Sequence, residues 1–451
     1  MSEIIEPRVL KGFRDYLPEA EIQRSALMDV VEKVFRSFGF VPIDTPALEY
    51  AEILLGKGGG ETDKQVYRFK DHGDRDVALR FDLTVPFARF MAEHVDELYL
   101  PFRRYHMAKV WRGENTQRGR YREFMQCDFD IVGTDSAMAD TDIVLLIRDA
   151  FEALDVGGFK IRINHRGLFN RFLAKLGVED QSGFILRTVD KKDKLEEGAL
   201  LPLLAETIGE AKAALVLDYV EPAGSYIETL AKLEGLAGGP GPDSERLRLI
   251  HEAFVASGIA LAWNDAATGN ARSDAEILVL DPGITRGLDY YTGVVFETRL
   301  DAMPEIGSVC GGGRYDELAS LYTTKKLPGV GAAIGLDRLL TALEALGKTS
   351  GKAGYSDVLI LYIEDEFASR YQQFAALLRR MDLVAEVFPD KRKLGQQFAY
   401  AEKKGIPFGL ILGSSENEKG ILTLKDLRNR ESVEVASISA AAEAIRERLG
   451  T

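Results

Sequence analysis

The chain has 451 residues, of which 28% are charged and 46% hydrophobic, and its 71 acidic and 57 basic side chains give a net charge of -14. This length predicts roughly two to four domains, while two cysteines, Cys127 and Cys310, exclude a disulfide framework and a cysteine-based zinc site. No apolar run reaches the roughly 20 residues of a membrane span and no signal peptide is recognisable, so we expect a cytoplasmic protein with no membrane partner.

The first half of the chain predicts a mixed region followed by a helical one. Apolar spacing predicts a helix over residues 21–38, a strand over 40–43 and a glycine break at 58–60. Strand patterns around 110–112 and over 124–132 predict a long antiparallel hairpin with a wide loop. From about 168 to 256 the composition is rich in Leu, Ala, Glu and Lys, which predicts a helical insertion.

The second half predicts a return to strands and then a small separate domain. Strands are predicted over 275–280 and 294–300, a helix over 336–346, and then a loose linker. Beyond the linker, predicted strands at 358–362, 384–387 and 407–412 alternate with predicted helices at 367–381 and 394–404. This alternation predicts a small sheet of parallel character flanked by helices. The predicted boundaries are therefore 1–346 with the insertion at about 168–256, a linker at 347–354, and a C-terminal domain at 355–451.

A basic stretch interrupts the acidic chain between residues 101 and 122. The acidic total argues against a nucleic-acid partner, but the C-terminal domain is near neutral, with 14 basic and 15 acidic side chains. Arginine suits bidentate contact with phosphate oxygens. The stretch holds one acid, Glu114, against seven basic residues, Arg103, Arg104, Lys109, Arg112, Arg118, Arg120 and Arg122.

The strand that returns from this stretch has two different faces. With a period of two, one face is apolar and consists of Met125, Cys127, Phe129 and Ile131. The other face carries Phe124, Gln126, Asp128 and Asp130. These polar residues could form a binding site, although the pattern alone favours an ordinary half-solvated antiparallel sheet.

Two later segments are also candidates for a site. Residues 286–293 place Arg286 and Asp289 beside Tyr290 and Tyr291, which suits binding of a small polar ring, or else forms a turn with two strand aromatics. Residues 310–316 contain a glycine run, which indicates either close backbone approach or a flexible turn. P-loop and dinucleotide fingerprints are not met at 347–349 or 329–335, and the five histidines show no zinc spacing.

In this order and spacing, the segments resemble class II aminoacyl-tRNA synthetases and, among them, the histidyl-tRNA synthetase family. Residues 20–46 match motif 1, which ends in Pro46, and residues 105–132 match motif 2. Residues 329–338 match motif 3, with Asp337 where many members have glutamate. Residues 286–291 and 311–316 match the two motifs specific to the histidine enzymes. The resemblance implies an α/β fold with an α+β catalytic core, in which an antiparallel sheet is flanked by helices, with a helical insertion and a C-terminal anticodon-binding domain.

The resemblance also implies a reaction and its residues. Histidine would attack the α-phosphorus of ATP, a step that needs positioning and charge neutralisation rather than an enzyme nucleophile. Arg112 and Arg286 would be the catalytic residues, with Mg2+ entering with ATP. ATP would be bound by Arg112, Glu114, Arg120, Phe124 and Arg338. Histidine would be bound by Asp82, Thr84, Gln126, Asp130, Tyr290 and Tyr291, which give its ring nitrogens and amine polar partners.

Two segments depart from many bacterial members of that family. Residues 80–84 read Arg-Phe-Asp-Leu-Thr instead of Arg-Pro-Glu-Gly-Thr, so that Asp82 replaces a longer acid. In the loop expected to meet the tRNA acceptor end, formed by Asn115, Thr116 and Gln117, the usual Arg-Pro is absent. We therefore expect discrimination of the extra 5′ guanosine of tRNA(His) to be weaker or differently built.

The implied partners are tRNA(His), L-histidine, ATP and a second copy of the chain in a homodimer. The nearest alternative is the synthetase-like regulatory subunit of ATP phosphoribosyltransferase, which lacks the C-terminal domain and commonly loses catalytic residues. A noncatalytic RNA-binding or stress-sensing module on the same fold is a more distant alternative. Histidine-dependent exchange of pyrophosphate into ATP separates the enzyme from both.

Overall fold

The computed structural model describes residues 4–56, 65–190, 192, 196, 198–260, 277–284, 291–349, 351 and 353–450. These residues form two compact units. The large unit comprises Met1–Asp15 and Ala26–Lys348, and the small unit comprises Tyr16–Ser25 and Thr349–Thr451. Within the described part of the chain, no helix is both long and apolar enough to span a membrane.

The large unit contains a mixed set of strands and helices. Its strands are β1 (Val41–Pro42), β2 (Leu48–Tyr50), β3 (Arg68–Lys70), β4 (Asp76–Leu79), β5 (Phe102–Trp111), β6 (Glu123–Val132), β7 (Phe159–His165), β8 (Leu278–Leu280), β9 (Val294–Leu300), β10 (Cys310–Tyr315) and β11 (Gly329–Gly335). Its helices are α1 (Pro18–Ser37, which begins in the small unit), α2 (Ala51–Leu55), α3 (Thr84–His94), α4 (Ala137–Ala153), α5 (Arg166–Leu176), α6 (Ser182–Val189), α7 (Leu200–Ile208), α8 (Glu210–Val220), α9 (Tyr226–Ala237), α10 (Pro242–Ala260) and α11 (Leu336–Ala345).

An eight-stranded sheet organises the large unit, with strand order β1-β5-β6-β11-β10-β9-β7-β8. Neighbours pair antiparallel except at the edges, where β1 with β5 and β7 with β8 are parallel. The predicted hairpin is present as β5 and β6, but β5 begins at Phe102, well before the predicted start. A separate three-stranded sheet has the order β2-β4-β3.

From Gln126 to Val132 both faces of β6 are buried, so the half-solvated sheet favoured by the pattern is wrong. On the apolar face Cys127, Phe129 and Ile131 are almost inaccessible, and the Phe129 ring lies 5.0 Å from that of Phe35 in α1. The polar face is covered as well, because α3 lies over it: the Phe87 ring is 4.1 Å from the guanidinium carbon of Arg104 on β5. Polar side chains on a doubly covered strand need partners of their own.

The predicted helical block matches helices α5 to α10, which connect the neighbouring parallel strands β7 and β8. A parallel pair needs a crossover rather than a tight turn, and here the crossover is a whole helical layer. At the start of α9 in this layer, Ser225 and Glu228 form a reciprocal capping box, so a local sequence signal sets where that helix begins. A buried apolar cluster shared with the sheet stabilises these helices.

The small unit is a five-stranded sheet with helices and its own core. Its strands are β12 (Val358–Ile360), β13 (Ala385–Val387), β14 (Phe408–Ile411), β15 (Leu422–Asp426) and β16 (Glu431–Val435), and its helices are α12 (Ala368–Arg380), α13 (Leu394–Lys404), α14 (Ser414–Lys419) and α15 (Ile438–Leu449). The strand order is β13-β12-β14-β15-β16, and the first three strands are parallel as predicted. Strands β15 and β16 lie beyond the predicted elements and join this sheet antiparallel; the short connection between them forms a hairpin with Arg430 at a φ of 60°.

Candidate active site

A cavity of about 240 Å³ lies on the polar face of the central sheet, over β6, β11 and β10. Directly opposed residues share a face, and Gln126 lies opposite Gly335 while Asp130 lies opposite Gly331. Small residues on β10 and β11 therefore leave open space beside the polar side chains of β6. The cavity is lined by every predicted ATP or histidine residue that the structure describes: Asp82, Thr84, Arg112, Glu114, Arg120, Phe124, Gln126, Asp130, Tyr291 and Arg338.

The glycine run at 311–313 lies in strand β10 and is not a flexible turn. Close backbone approach is the reason for glycine here, because a Cβ on Gly312 would lie 2.2 Å from the carbonyl oxygen of Gly331. Gly331 is constrained in the same way, since its Cβ would lie 2.0 Å from Oδ1 of Asp130. Gly311 and Gly331 line the cavity, and Gly331 gives the Asp130 carboxylate its space.

Motif 2 places two arginines and an acid at one end of the cavity. Arg112 donates from Nε to the carbonyl oxygen of Phe81 at 2.8 Å, and its guanidinium carbon lies 5.2 Å from the centre of the Phe124 ring. Glu114 lies between the two cations, 3.9 Å from Arg112 and 3.4 Å from Arg120. The single negative charge of Glu114 offsets only part of the two positive charges.

Arg338, in the first turn of α11, adds a third cation to the same end. It donates to the carbonyl oxygen of Ser308 at 2.6 Å, so it is not the solvated helix charge that its sequence position alone indicates. Burial lowers the pKa of Arg338 to about 10, and the positive charge of Arg120 adds to this effect. Asp337 beside it accepts from the backbone N–H of Met125 at 2.6 Å, which joins the start of α11 to β6. The cationic end is therefore built from two motifs that are distant in sequence.

Further along β6, at Asp130, the lining of the cavity is acidic. Asp130 is buried, forms an ion pair of 2.6 Å with Arg104, and accepts a hydrogen bond from the hydroxyl of Tyr315. Burial raises the pKa of Asp130, while the charge of Arg104 acts in the opposite direction. Asp82 is also buried, and its Oδ1 accepts from the backbone N–H of Val85 at 3.1 Å in the first turn of α3.

Thr84, Gln126 and Tyr291 complete the acidic end. Thr84 is the first residue of α3, and Gln126 lies on β6 two residues before Asp128. The backbone carbonyl of Tyr291 accepts from Arg166 at 2.6 Å, which fixes the chain at the start of the segment leading into β9. Arg286 and Tyr290, the other two predicted site residues, lie outside the described residues.

The basic stretch does not act as one phosphate-binding cluster. Only Arg112 and Arg120 of its seven basic residues line the cavity. Arg103 faces the other side of the sheet, where it pairs with Asp142 at 2.5 Å. Arg104 is completely buried against Asp130, so its role was missed by reasoning from charge density. Tyr315 also lines the cavity, although the sequence pattern gave it no role. Its alternation with Gly313 on β10 was the signal that could have indicated that position.

The predicted tRNA acceptor loop lies between β5 and β6, outside the cavity lining. Asn115, Thr116 and Gln117 are exposed. The base of the loop is held by backbone hydrogen bonds, including one of 2.7 Å from Gly113 N–H to the carbonyl oxygen of Gln65. These exposed side chains on an anchored loop are accessible to a macromolecular partner.

Comparisons with known proteins agree with this geometry. A family model described as histidyl-tRNA synthetase matches residues 12–339, and a model of an anticodon-binding domain matches 357–448. The chain is 50% identical to a histidine–tRNA ligase of Treponema denticola over 99% of both chains, and 45% identical to one of Rhodopirellula baltica over 98% of both. A crystal structure of histidyl-tRNA synthetase from a Nostoc species superposes with a TM-score of 0.84 at 34% identity, covering 99% of this chain and all of that one. A Bacillus halodurans protein described as an ATP phosphoribosyltransferase regulatory subunit/histidyl-tRNA synthetase shares the fold, with a TM-score of 0.71 at 22% identity over 88% of this chain and 97% of that one.

Proposed function

Because the chain belongs to the histidyl-tRNA synthetase family, it is an aminoacyl-tRNA ligase, and we propose how its cavity carries out the reaction. A histidine–tRNA ligase converts L-histidine and ATP to histidyl-adenylate and pyrophosphate, and then transfers histidine to the 3′ end of tRNA(His). The full-length identity to curated ligases and the matched anticodon-binding domain favour this function over that of the regulatory subunit.

The observation that carries the proposal is the charge separation along one cavity. Arg112 lies beside Phe124 near the start of β6 and shares Glu114 with Arg120, whereas Asp130 lies six residues further along the same strand. ATP is a polyanion and histidine carries an α-ammonium group and a polar ring, so the two ends suit the two substrates. The reacting atoms would meet beside Arg112, which is held by the carbonyl oxygen of Phe81, the residue before Asp82.

The activation step then needs no proton transfer. A carboxylate oxygen of histidine attacks the α-phosphorus, the bond to the β-phosphate oxygen breaks, and pyrophosphate leaves with the electron pair. Arg112 neutralises the charge that builds on the α-phosphate, and Arg286 is proposed to assist from a segment outside the described residues. Preorganised cations of this kind lower the barrier because they need no reorganisation during the reaction.

The remaining ATP contacts follow from the cationic end. Phe124 and Arg338 would hold the adenine between an aromatic ring and a guanidinium plane. Glu114 would accept from the adenine amino group, and Arg120 would reach the γ-phosphate. Arg120 suits this role because its side chain is 37% exposed and its ion pair with Glu114 is loose, at 3.4 Å.

At the acidic end, the proposed histidine contacts divide between amine and ring. Asp82 and Thr84 would bind the α-ammonium group, while Gln126 and Asp130 would bind the imidazole nitrogens. Tyr291, with Tyr290, would close the pocket. A site that offers polar partners to both ring nitrogens rejects analogues lacking them strongly, because its buried polar groups would be left unpaired.

Mg2+ is proposed to enter with ATP, where it would neutralise phosphate charge. Within the described part of the chain no cluster of three His, Cys, Asp or Glu side chains could hold a metal ion by itself. An ATP-bound Mg2+ needs only one or two protein carboxylates in addition to phosphate oxygens. Glu114, which lines the cavity beside Arg112 and Arg120, is a carboxylate suited to hold it.

The domain boundaries, the contacts with tRNA and the oligomeric state are also proposals. Residues 1–346 would form the catalytic domain with its insertion at about 168–256, residues 347–354 the linker, and residues 355–451 the domain that binds the anticodon. Asn115, Thr116 and Gln117 would meet the acceptor end of tRNA(His). We also propose that the protein acts as a cytoplasmic homodimer.

Histidine-dependent exchange of labelled pyrophosphate into ATP tests the proposal. We expect exchange with L-histidine and no other standard amino acid. Arg112→Ala and Arg286→Ala should each reduce its rate at least about a hundredfold, the scale seen when one charge-stabilising donor is removed. Arg103→Ala, on the opposite face of the sheet, is the control and should retain wild-type exchange. Absence of exchange in the pure wild-type protein would refute the function.

A further inference from the structure

Arg166 lies where the helical layer meets the cavity, and the proposed function gives it no role. It is the first residue of α5 and directly follows β7. Strand β7 pairs with β9 as far as His165, which lies opposite Val294. Beyond that pair the chain turns into α5, so the regular strand pairing ends before it reaches Tyr291.

Two hydrogen bonds from Arg166 continue the attachment where the strand pairing ends. Its backbone N–H donates to the carbonyl oxygen of Gly293 at 2.9 Å, which gives a partner to one of the N–H groups that a helix leaves free in its first turn. Its Nη1 donates to the carbonyl oxygen of Tyr291 at 2.6 Å. A hydrogen bond from a guanidinium is stronger than one between neutral groups, so the backbone at Tyr291 is firmly held.

The position of the Tyr291 ring depends on where that backbone is held. Tyr291 lines the cavity, and its ring lies against Gly313 of β10, because a Cβ on Gly313 would be 2.9 Å from Cδ1 of the ring. Gly313 lies opposite Gly331, the residue that gives the Asp130 carboxylate its space. A shift of the Tyr291 backbone would therefore move its ring across the part of the sheet where histidine is proposed to bind.

We propose that Arg166 is a positioning residue for histidine binding. It acts through Tyr291, which is proposed to close the histidine pocket, so the inference rests on the proposed function and deepens it. The next residue, Thr292, is held independently: its N–H donates to the carbonyl oxygen of Arg314 at 2.8 Å and its hydroxyl to Asp316 at 2.7 Å. Loss of the Arg166 side chain should therefore displace Tyr291 without detaching the segment from β10.

The kinetics of pyrophosphate exchange test the inference. Arg166→Met keeps the length of the side chain but removes its donors. It should raise the KM for histidine about 10- to 100-fold, the scale on which a small misplacement in a site acts, and change the KM for ATP by less than about twofold. Arg166→Lys restores a cationic donor and should bring the KM for histidine back to within about fivefold of the wild-type value.

A double variant shows whether Arg166 acts through Tyr291. In Tyr291→Ala the ring is absent, so adding Arg166→Met should raise the KM for histidine by less than about threefold further, because two residues that act as one unit are not additive. The control is Arg171→Met on the same helix, which removes an ion pair of 2.8 Å with Asp243 of α10. It should leave the KM for histidine within about twofold of the wild-type value, because destabilising the helical layer alone does not move Tyr291.

Three results would each overturn the inference. They are an unchanged KM for histidine in Arg166→Met, equal rises in the KM for histidine and for ATP, and full additivity with Tyr291→Ala. Arg166→Gln, a shorter and uncharged side chain, repeats the test if Arg166→Met does not fold. Failure of the proposed function would be seen separately, as absence of pyrophosphate exchange in the wild type.

Discussion

Replacing Arg104 by methionine should destabilise the large unit and weaken histidine binding together. The guanidinium lies 2.6 Å from the Asp130 carboxylate, and the side chains of both are at most 3% exposed. Removing one partner of such a pair leaves an uncompensated buried charge, which costs about 3–5 kcal/mol. Arg104→Met should also raise the pKa of Asp130 further, because Arg104 is the charge that opposes the effect of burial. Asp130 would then be protonated more readily and would bind histidine less well.

The assay is a urea titration followed by tryptophan fluorescence. Trp111, the last residue of β5, gives a fluorescence signal that reports on the large unit. Arg103→Met is a matched control on the other face of β5, where the half-exposed pair with Asp142 predicts a loss below about 1 kcal/mol. A loss for Arg104→Met no larger than for Arg103→Met would refute the reasoning.

A double variant sharpens the same prediction. Nε and Nη1 of Arg104 have no hydrogen-bond partner among the described residues, so the buried pair carries a large desolvation cost of its own. Replacing both charges, as Arg104→Met with Asp130→Asn, should therefore recover most of the lost stability. Histidine binding should not recover, because the acid proposed to bind the ring is gone. Recovery of both, measured by denaturation and calorimetry, would contradict the assigned role of Asp130.

Three further predictions follow from the cavity and its surroundings. Arg120→Ala should raise the KM for ATP in pyrophosphate exchange by about tenfold or more. The control is Arg118→Ala, at an exposed residue of the same loop outside the cavity lining, which should change this KM by less than about twofold. Equal effects of the two variants would contradict the proposed contact of Arg120 with phosphate. Gly331→Ala should reduce histidine affinity, because the new Cβ would lie 2.0 Å from Asp130, and unchanged calorimetric affinity would count against that contact. Burial lowers the pKa of His165 from 6.5 to about 4, so the unfolded chain takes up a proton below about pH 6.5 and the folded chain only near pH 4. Stability should therefore fall by up to about 3 kcal/mol between those values, and His165→Asn should remove part of that fall in urea titrations at pH 7 and pH 4.5.

Elements with strong local signals were predicted closely from the sequence. Strand β9 and helix α13 have the predicted bounds, because glycines at 293 and 405 end the apolar patterns beside them. The glycine run at 311–313 was ambiguous, because sequence cannot distinguish glycine needed for a turn from glycine needed for close packing. Only the pairing of β10 with β9 and β11 shows which of the two applies.

The polar face of β6 shows where local reasoning ends. Alternation correctly separated Gln126, Asp128 and Asp130 from the apolar side chains, but it could not show what covers them. That depends on Phe87 of α3, which lies over Arg104, a contact between distant parts of the chain. For the same reason, Arg104 was counted with the phosphate-binding arginines although it neutralises a buried acid. The residue types were readable from sequence, while their partners depended on tertiary contacts.

A crystal structure with a non-hydrolysable histidyl-adenylate analogue tests most directly whether one cavity holds both substrates. The proposal predicts the imidazole beside Gln126 and Asp130, and the adenine between Phe124 and Arg338. The phosphate mimic should lie against Arg112, where the cationic and acidic ends meet. An analogue bound with its adenine at the acidic end, or outside this cavity, would contradict the proposed function of the site.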